Sequence, residues 1–191
     1  SEANLAEIPA LFAGGVPSIK IFTAYGARGM QMVDPAITRI AEAVGNAGGL
    51  LMVHAESGDA IDFLTQRCRY RGETAAPWHE KCRPDLVEAE AIQRVATLAQ
   101  LADCPLYIVH LSSARGLEVI RRARSEGWRI HAETCPQYLL LDRRRYEGAE
   151  GHRYIASPPL RSPADRQALT VAVTGGEIEV VAQGLPVGLG S

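Results

Sequence analysis

The chain has 191 residues, 47% of them hydrophobic, with 20 basic and 22 acidic side chains and a formal net charge of −2. This near-neutral globular composition supports one sizeable core and gives no electrostatic basis for a nucleic-acid or membrane-surface partner. No apolar run approaches the roughly 20 residues that cross a bilayer, and no signal-peptide pattern opens the chain, so a cytoplasmic protein is expected. The four cysteines (Cys68, Cys82, Cys104, Cys135) form no C-x-x-C and are expected as reduced thiols.

In chain order, "SIKIF" (18–22) is the first strand signal. "DPAITRIAEAVGNAGG" (34–49) follows as a helix, with Asp34 predicted as N-cap, Pro35 at the first helical position and paired glycines as the stop. "LLMVHAES" (50–57) reads as a strand and "GDAIDFLTQRCRYRG" (58–72) as a helix. "ETAAPWHEKCRP" (73–84) reads as a loop, because two prolines and mixed polar residues break any period. The strongest helical signal is "DLVEAEAIQRVATLAQLADC" (85–104), with Leu86, Val87, Ile92, Val95, Leu98 and Leu101 at helical steps. Strand "LYIVHLSS" (106–113), helix "ARGLEVIRRARSEG" (114–127) and strand "RIHAETC" (129–135) come next. After a further helical stretch "EIEVVA" (177–182) closes the series. Charge runs such as "RRAR" and "DRRRY" read as solvated surface. Apolar strands separated by helices predict a parallel sheet covered by helices, an α/β fold.

Titratable residues recur at the strand ends. Lys20 lies inside "SIKIF", His54 ends "LLMVH" and His110 ends "LYIVH", while Glu133 and Thr134 follow "RIHA" and Ser157 follows "HRYIA". In parallel α/β folds the loops that carry chemistry leave the carboxyl ends of the strands, so these groups are predicted to share one cleft. Each histidine has an ordinary structural reading as a hydrogen-bonded core residue. Lys20 is expected in an apolar, buried setting between two isoleucines, where an ammonium is costly unless paired or chemically changed. Two imidazoles suit zinc. A lysine carboxylated on its amine would add a bridging carboxylate for two metals about 3.5–4 Å apart. Residue types alone leave the structural and metal-binding readings both open.

At these same residues the chain resembles a known family. "GVPSIKIFTAYG", "LLMVHAESGDAI", "RPDLVEAEAIQRVATLAQLADCPLYIVHLSS", "HAETCPQYLLLD" and "YIASPPLRSPADRQAL" resemble the dihydropyrimidinase/D-hydantoinase family of cyclic amidohydrolases, in order, from about 16 to 182. The resemblance implies part of a (β/α)8 TIM-type barrel, roughly strands 4 to 8, in residues 1–182, with an unmatched glycine-rich tail at 183–191. It implies a binuclear zinc site bridged by carboxylated Lys20, with His54 and His110 as metal ligands. Tyr25 matches the tyrosine that polarises the substrate carbonyl and helps to hold the oxyanion, and Ser157 the serine whose backbone contacts the ring amide. "ETCPQYLLLD" resembles hydantoinases more than allantoinases, and retention of Lys20, His54 and His110 argues against the non-enzymatic relatives. An allantoinase-like or dihydroorotase-like relative ranks lower.

Two parts of the family's pattern are missing. No H-x-H occurs in the sequence, and "EIEVVA" runs into "QGLPVGLGS", where the family carries a strand-eight aspartate followed by histidine. A barrel of this type takes about 250 residues, more than this chain has. The chain is therefore expected to be a fragment, a truncated product or one part of an assembly. Ring opening of hydantoins and dihydropyrimidines to N-carbamoyl amino acids is the expected ancestral activity, with a small cyclic amide as substrate and little activity in this chain alone. The alternative is a catalytically dead fragment acting as a structural or oligomerisation module. Homo-oligomerisation is expected, because it hides unpaired sheet edges. A phosphate-binding α/β protein is disfavoured by the lack of a glycine-rich loop before a helix.

Overall fold

The computed structural model describes residues 2–181. Within these residues five strands, β1 (Ser18–Phe22), β2 (Leu50–His54), β3 (Leu106–Ile108), β4 (Ile130–Thr134) and β5 (Glu179–Val180), form one sheet in sequence order. All four pairings are parallel. The crossovers carry α2 (Asp34–Asn46), then α3 (Gly58–Tyr70), α4 (Pro77–Lys81) and α5 (Asp85–Leu101), then α6 (Ala114–Ser125), then α7 (Pro136–Leu140) and α8 (Pro163–Thr174). α1 (Glu2–Ala13) precedes β1 and packs beside α2.

Strand register decides which residues face the helices. Leu51 pairs with Ile19 and Leu106, and Leu106 with Ile130; Val53 pairs with Ile21 and Ile108, and Ile108 with Ala132. Side chains alternate faces along a strand, so these two rows share one face. Against it lie Ile37, Ala41 and Val44 of α2, Ala91, Ile92 and Val95 of α5, Leu117 and Ile120 of α6, and Leu169 and Ala172 of α8. The approach of α5 to α6 is close: a Cβ on Gly116 would fall 2.9 Å from Ile92 Cδ1 and 2.8 Å from Leu111 Cδ1. The other face carries the row Lys20, Met52, Tyr107 and His131.

The α/β reading and the parallel sheet hold, with several corrections. Asp34 is the first residue of α2, and Val33 is its N-cap, with no side-chain cap bond. α1 was not expected from the pattern, and α4 lies within the segment read as a loop; Pro77 sits at its first turn, where a missing N–H costs nothing. β3 stops at Ile108, two residues short of His110, whose left-handed backbone (φ 44°) leaves the strand. β5 has two residues where six were predicted. Residues 182–191, including the glycine-rich tail, lie outside the described residues. On α5, Leu86 and Leu101 are exposed, and the buried face is instead Val87, Glu88, Ala89, Ala91, Ile92, Val95, Ala96 and Ala99.

Among the described residues one carboxylate stands apart from the exposed ion pairs. Asp142 is nearly buried and receives the Arg144 guanidinium at 2.8 and 2.7 Å and Arg166 at 3.2 Å. The Arg144 hydrogen bonds hold its carboxyl down to about 2, against an ordinary 3.8.

Two outcomes follow from this packing. Leu117→Ala, which empties a fully buried site, should cost about 2–5 kcal/mol in urea denaturation. A carboxyl depressed in the fold stabilises it above its unfolded pKa and loses that contribution as pH falls through the folded value. The stability gap between the natural chain and Asp142→Asn should therefore be widest near neutrality and close as the pH is lowered from about 4 to about 2.

Candidate functional site

The site is built where β1, β2 and β3 end. His54 is the last residue of β2 and is 2% exposed; Glu56, two residues on, is fully buried. Thr23, just past β1, clamps this turn. Its hydroxyl lies 2.7 Å from the Glu56 carbonyl and accepts the Glu56 amide at 3.0 Å. The clamp brings Glu56 Oε2 to 2.9 Å from His54 Nε2. Burial alone would raise the Glu56 carboxyl, but the His54 hydrogen bond, with the Arg83 and Arg161 charges, outweighs it and leaves it lowered. Glu56 is thus an ionised acceptor.

That fixes the tautomers. An ionised carboxylate only accepts, so His54 Nε2 carries the proton and Nδ1 presents its lone pair. His54 Nδ1 is 2.9 Å from His110 Nε2, and with Nδ1 accepting, His110 Nε2–H donates. Burial above all, with the Lys20 charge adding to it, pushes His110 well below the ordinary imidazole value, so it is neutral. The loop bearing His110 is braced from β4: Glu133 accepts the Leu111 amide at 2.7 Å, and the Thr134 hydroxyl donates to the Leu111 carbonyl at 2.7 Å.

Tyr25 adopts a left-handed backbone (φ 70°) ahead of the short turn Gly26–Arg28, and its ring centroid lies 4.9 Å from that of His54. Burial, then the Glu56 charge, raise its phenol above the ordinary value against the lowering influence of Ser157, Arg83 and Arg28, and keep it protonated. The Ser157 segment is held on both sides. His79 Nε2 is 2.7 Å from the Ala156 carbonyl, Tyr138 donates to the Pro158 carbonyl at 2.6 Å, and the Leu160 amide donates to the Tyr146 hydroxyl at 2.7 Å.

The structure thus brings together His54, His110, Tyr25 and Ser157. Lys20 departs from expectation: it is exposed, with Nζ 5.4 Å from the centroid of the Phe22 ring. The physical reason is strand alternation, which turns Ile19 and Ile21 to the helices and Lys20 to the opposite face. Its charge still reaches His110.

His54 Nδ1 and His110 Nε2 converge as two ligands of one ion would: tetrahedral zinc with bonds of about 2.0–2.1 Å separates its nitrogens by about 3.3 Å. Neutral imidazole is the binding form, and His110 would carry its proton on Nδ1 when Nε2 holds a metal. These donors fit a divalent metal, although among the described residues no group of three His, Cys, Asp or Glu is poised to hold one. Sequence reasoning missed Thr23, Glu56 and Arg83; the one legible signal was the carboxylate two residues past the strand-end histidine in "HAES".

No protein-family model matches the chain. A D-hydantoinase of Ralstonia pickettii is 41% identical over 170 residues, 87% of this chain and 37% of that protein. The crystal structure of dihydropyrimidinase from Brevibacillus agri superposes with a TM-score of 0.95 at 34% identity, covering 100% of this chain and 42% of that one. The chain belongs to the D-hydantoinase/dihydropyrimidinase family. A D-hydantoinase from a Bacillus species has a TM-score of 0.91 at 35% identity, over 95% of this chain and 41% of that one. The chain spans well under half the length of these family members. Among the described residues no helix is long and apolar enough to cross a membrane.

The hydrogen-bond chain makes a direct prediction. Long-range proton–nitrogen NMR at neutral pH should find His54 as the Nε2–H tautomer, and Glu56→Ala should abolish that preference. An Nδ1–H His54 in the unsubstituted chain would refute the tautomer assignment.

Proposed function

We propose that this chain carries part of the site of a metal-dependent cyclic amidohydrolase that opens hydantoin or dihydropyrimidine rings. In this reading residues 1–182 are roughly strands 4 to 8 of a (β/α)8 barrel, with 183–191 as a separate tail. The observation that carries it is the convergence of two buried imidazole nitrogens 2.9 Å apart, with the Tyr25 ring 4.9 Å from that of His54.

His54 and His110 would hold one divalent metal, zinc by donor chemistry. Lys20, once carboxylated, would bridge it to a second; its exposed amine is open to carbon dioxide. The metals, when bound, supply a nucleophilic water at neutral pH and Lewis-acid polarisation of the carbonyl. Glu56 orients His54 and raises its basicity, as carboxylates behind metal-bound histidines do. Tyr25 donates its phenolic proton in a hydrogen bond to the ring carbonyl oxygen and strengthens that bond as negative charge gathers there. Ser157 holds the ring amide through its backbone. The product is the N-carbamoyl amino acid. A cytoplasmic setting and a homo-oligomer that covers the outer strands complete the proposal.

The second reading is an inactive structural or oligomerisation module. It is favoured by the ligand count: among the described residues no group of three His, Cys, Asp or Glu is poised to hold a metal.

Metal analysis with an activity assay separates the two. The 191-residue chain should bind cobalt or zinc through His54 and His110, lose that binding in His110→Ala, and show no detectable hydantoin ring opening by itself. No uptake by the unsubstituted chain would favour the inactive module. Ring opening that is abolished by Lys20→Ala would overturn the expectation of inactivity and strengthen the enzymatic reading.

A further inference from the structure

Arg161 lies four residues past Ser157 and is 3% exposed. A guanidinium in such a place is costly unless its donors and its charge are met. Its Nε donates to Ser112 Oγ at 3.0 Å, and its Nη1 donates to the Arg83 carbonyl. Ser112 is two residues past His110, and both its amide and its hydroxyl lie 2.9 Å from Oε1 of the buried Glu88. Arg161, Ser112 and Glu88 therefore form one relay, in which the serine hydroxyl accepts from the guanidinium and donates to the carboxylate. On the other branch, the Arg83 side chain reaches Glu56 Oε2 at 3.4 Å, the oxygen that holds His54. The carbonyl of Arg161 is pinned in turn by the Arg143 amide at 2.7 Å.

We propose that Arg161 is a positioning residue that locks the His110 loop to the segment carrying Ser157, its planar fork holding Ser112 and Arg83 together. This rests on the reading that His110 and Ser157 serve one site. Three segments distant in sequence (83, 110–112 and 157–161) meet at this one side chain, and each lies next to a residue of the site. The lowered carboxyl of Glu56 answers its charge, while burial raises the Glu88 carboxyl against the lowering influence of Arg161. Filling space or balancing charge would need no fork. Holding two acceptors on different elements does, and a lysine of the same charge has no fixed fork to span them.

The test uses the full 191-residue chain without metal and reads amide hydrogen exchange by NMR. Three reporters are available: Ser112, bonded to Glu88; Leu160, bonded to Tyr146; and Leu51, bonded to the Pro105 carbonyl away from the site. In Arg161→Lys, exchange at Ser112 and Leu160 should rise together by about tenfold, the loss of one charge-assisted hydrogen bond, while Leu51 keeps its rate. Ser112→Ala should accelerate Leu160 by a similar factor and add nothing in the Arg161→Lys background. Wild-type protection at either loop, multiplicative effects of the two substitutions, or equal acceleration at Leu51 would each overturn the proposal, the last by reducing Arg161 to general stability. Cobalt titration is the companion measurement, with affinity expected to fall about 10–100-fold in Arg161→Lys. Should the unsubstituted chain take up no cobalt, the metal reading fails and the exchange rates still decide the role of Arg161.

Discussion

One buried hydrogen bond, between Glu56 and His54, organises the whole strand-end cluster. Because the carboxylate only accepts, it dictates which nitrogen of His54 carries a proton. That choice dictates the direction of the bond to His110, whose Nε2–H meets the lone pair of His54 Nδ1. The supporting structure has the task of keeping an ionised carboxylate in a dry place. Thr23 turns the backbone so that Glu56 points inward, and Arg83 and Arg161 lend it positive charge. A buried ion pair is weak evidence for stability, and removing one partner of such a pair is strongly destabilising. This cluster is better understood as a device for specifying geometry.

The same economy runs through the sheet. Parallel register delivers β1 and β2 to a common level, with Phe22 opposite His54. β3 then ends early, and the left-handed turn at His110 swings its ring against that of His54, 4.7 Å between centroids. Tyr25 comes from the end of β1 and Ser157 from the segment after α7. Four chain segments thus converge at one end of the sheet, while the apolar helix layer on one face holds the strands rigid.

The helix–strand alternation was legible in the sequence because buried parallel strands are apolar throughout. β1 matches the pattern at both ends, and β2 begins where expected. What failed did so for local reasons. α4 has five residues, too few to show a period, and its proline reads as a breaker although it occupies the one turn that tolerates it. On α5, hydrophobicity marked Leu86 and Leu101, but close packing against α6 selected small residues, and the Ser112 bonds drew Glu88 inside. His54, His110, Tyr25 and Ser157 were legible as a group only through their order along the chain and the resemblance it carries. Lys20 was misjudged because a strand residue between two isoleucines faces away from both. The groups that orient the cluster left little trace, since a buried glutamate or arginine looks in sequence like any surface charge.

Two of the converging residues, Tyr25 and His110, have left-handed backbones that side chains with a Cβ adopt at a cost of about 1–2 kcal/mol. Glycine would take either conformation freely. Glycine at 110 would nevertheless empty a buried ring site and leave His54 Nδ1 without its partner, so the strain is held in place by the packing around it. The two rings are thus aimed by backbone geometry that only the surrounding contacts make tolerable.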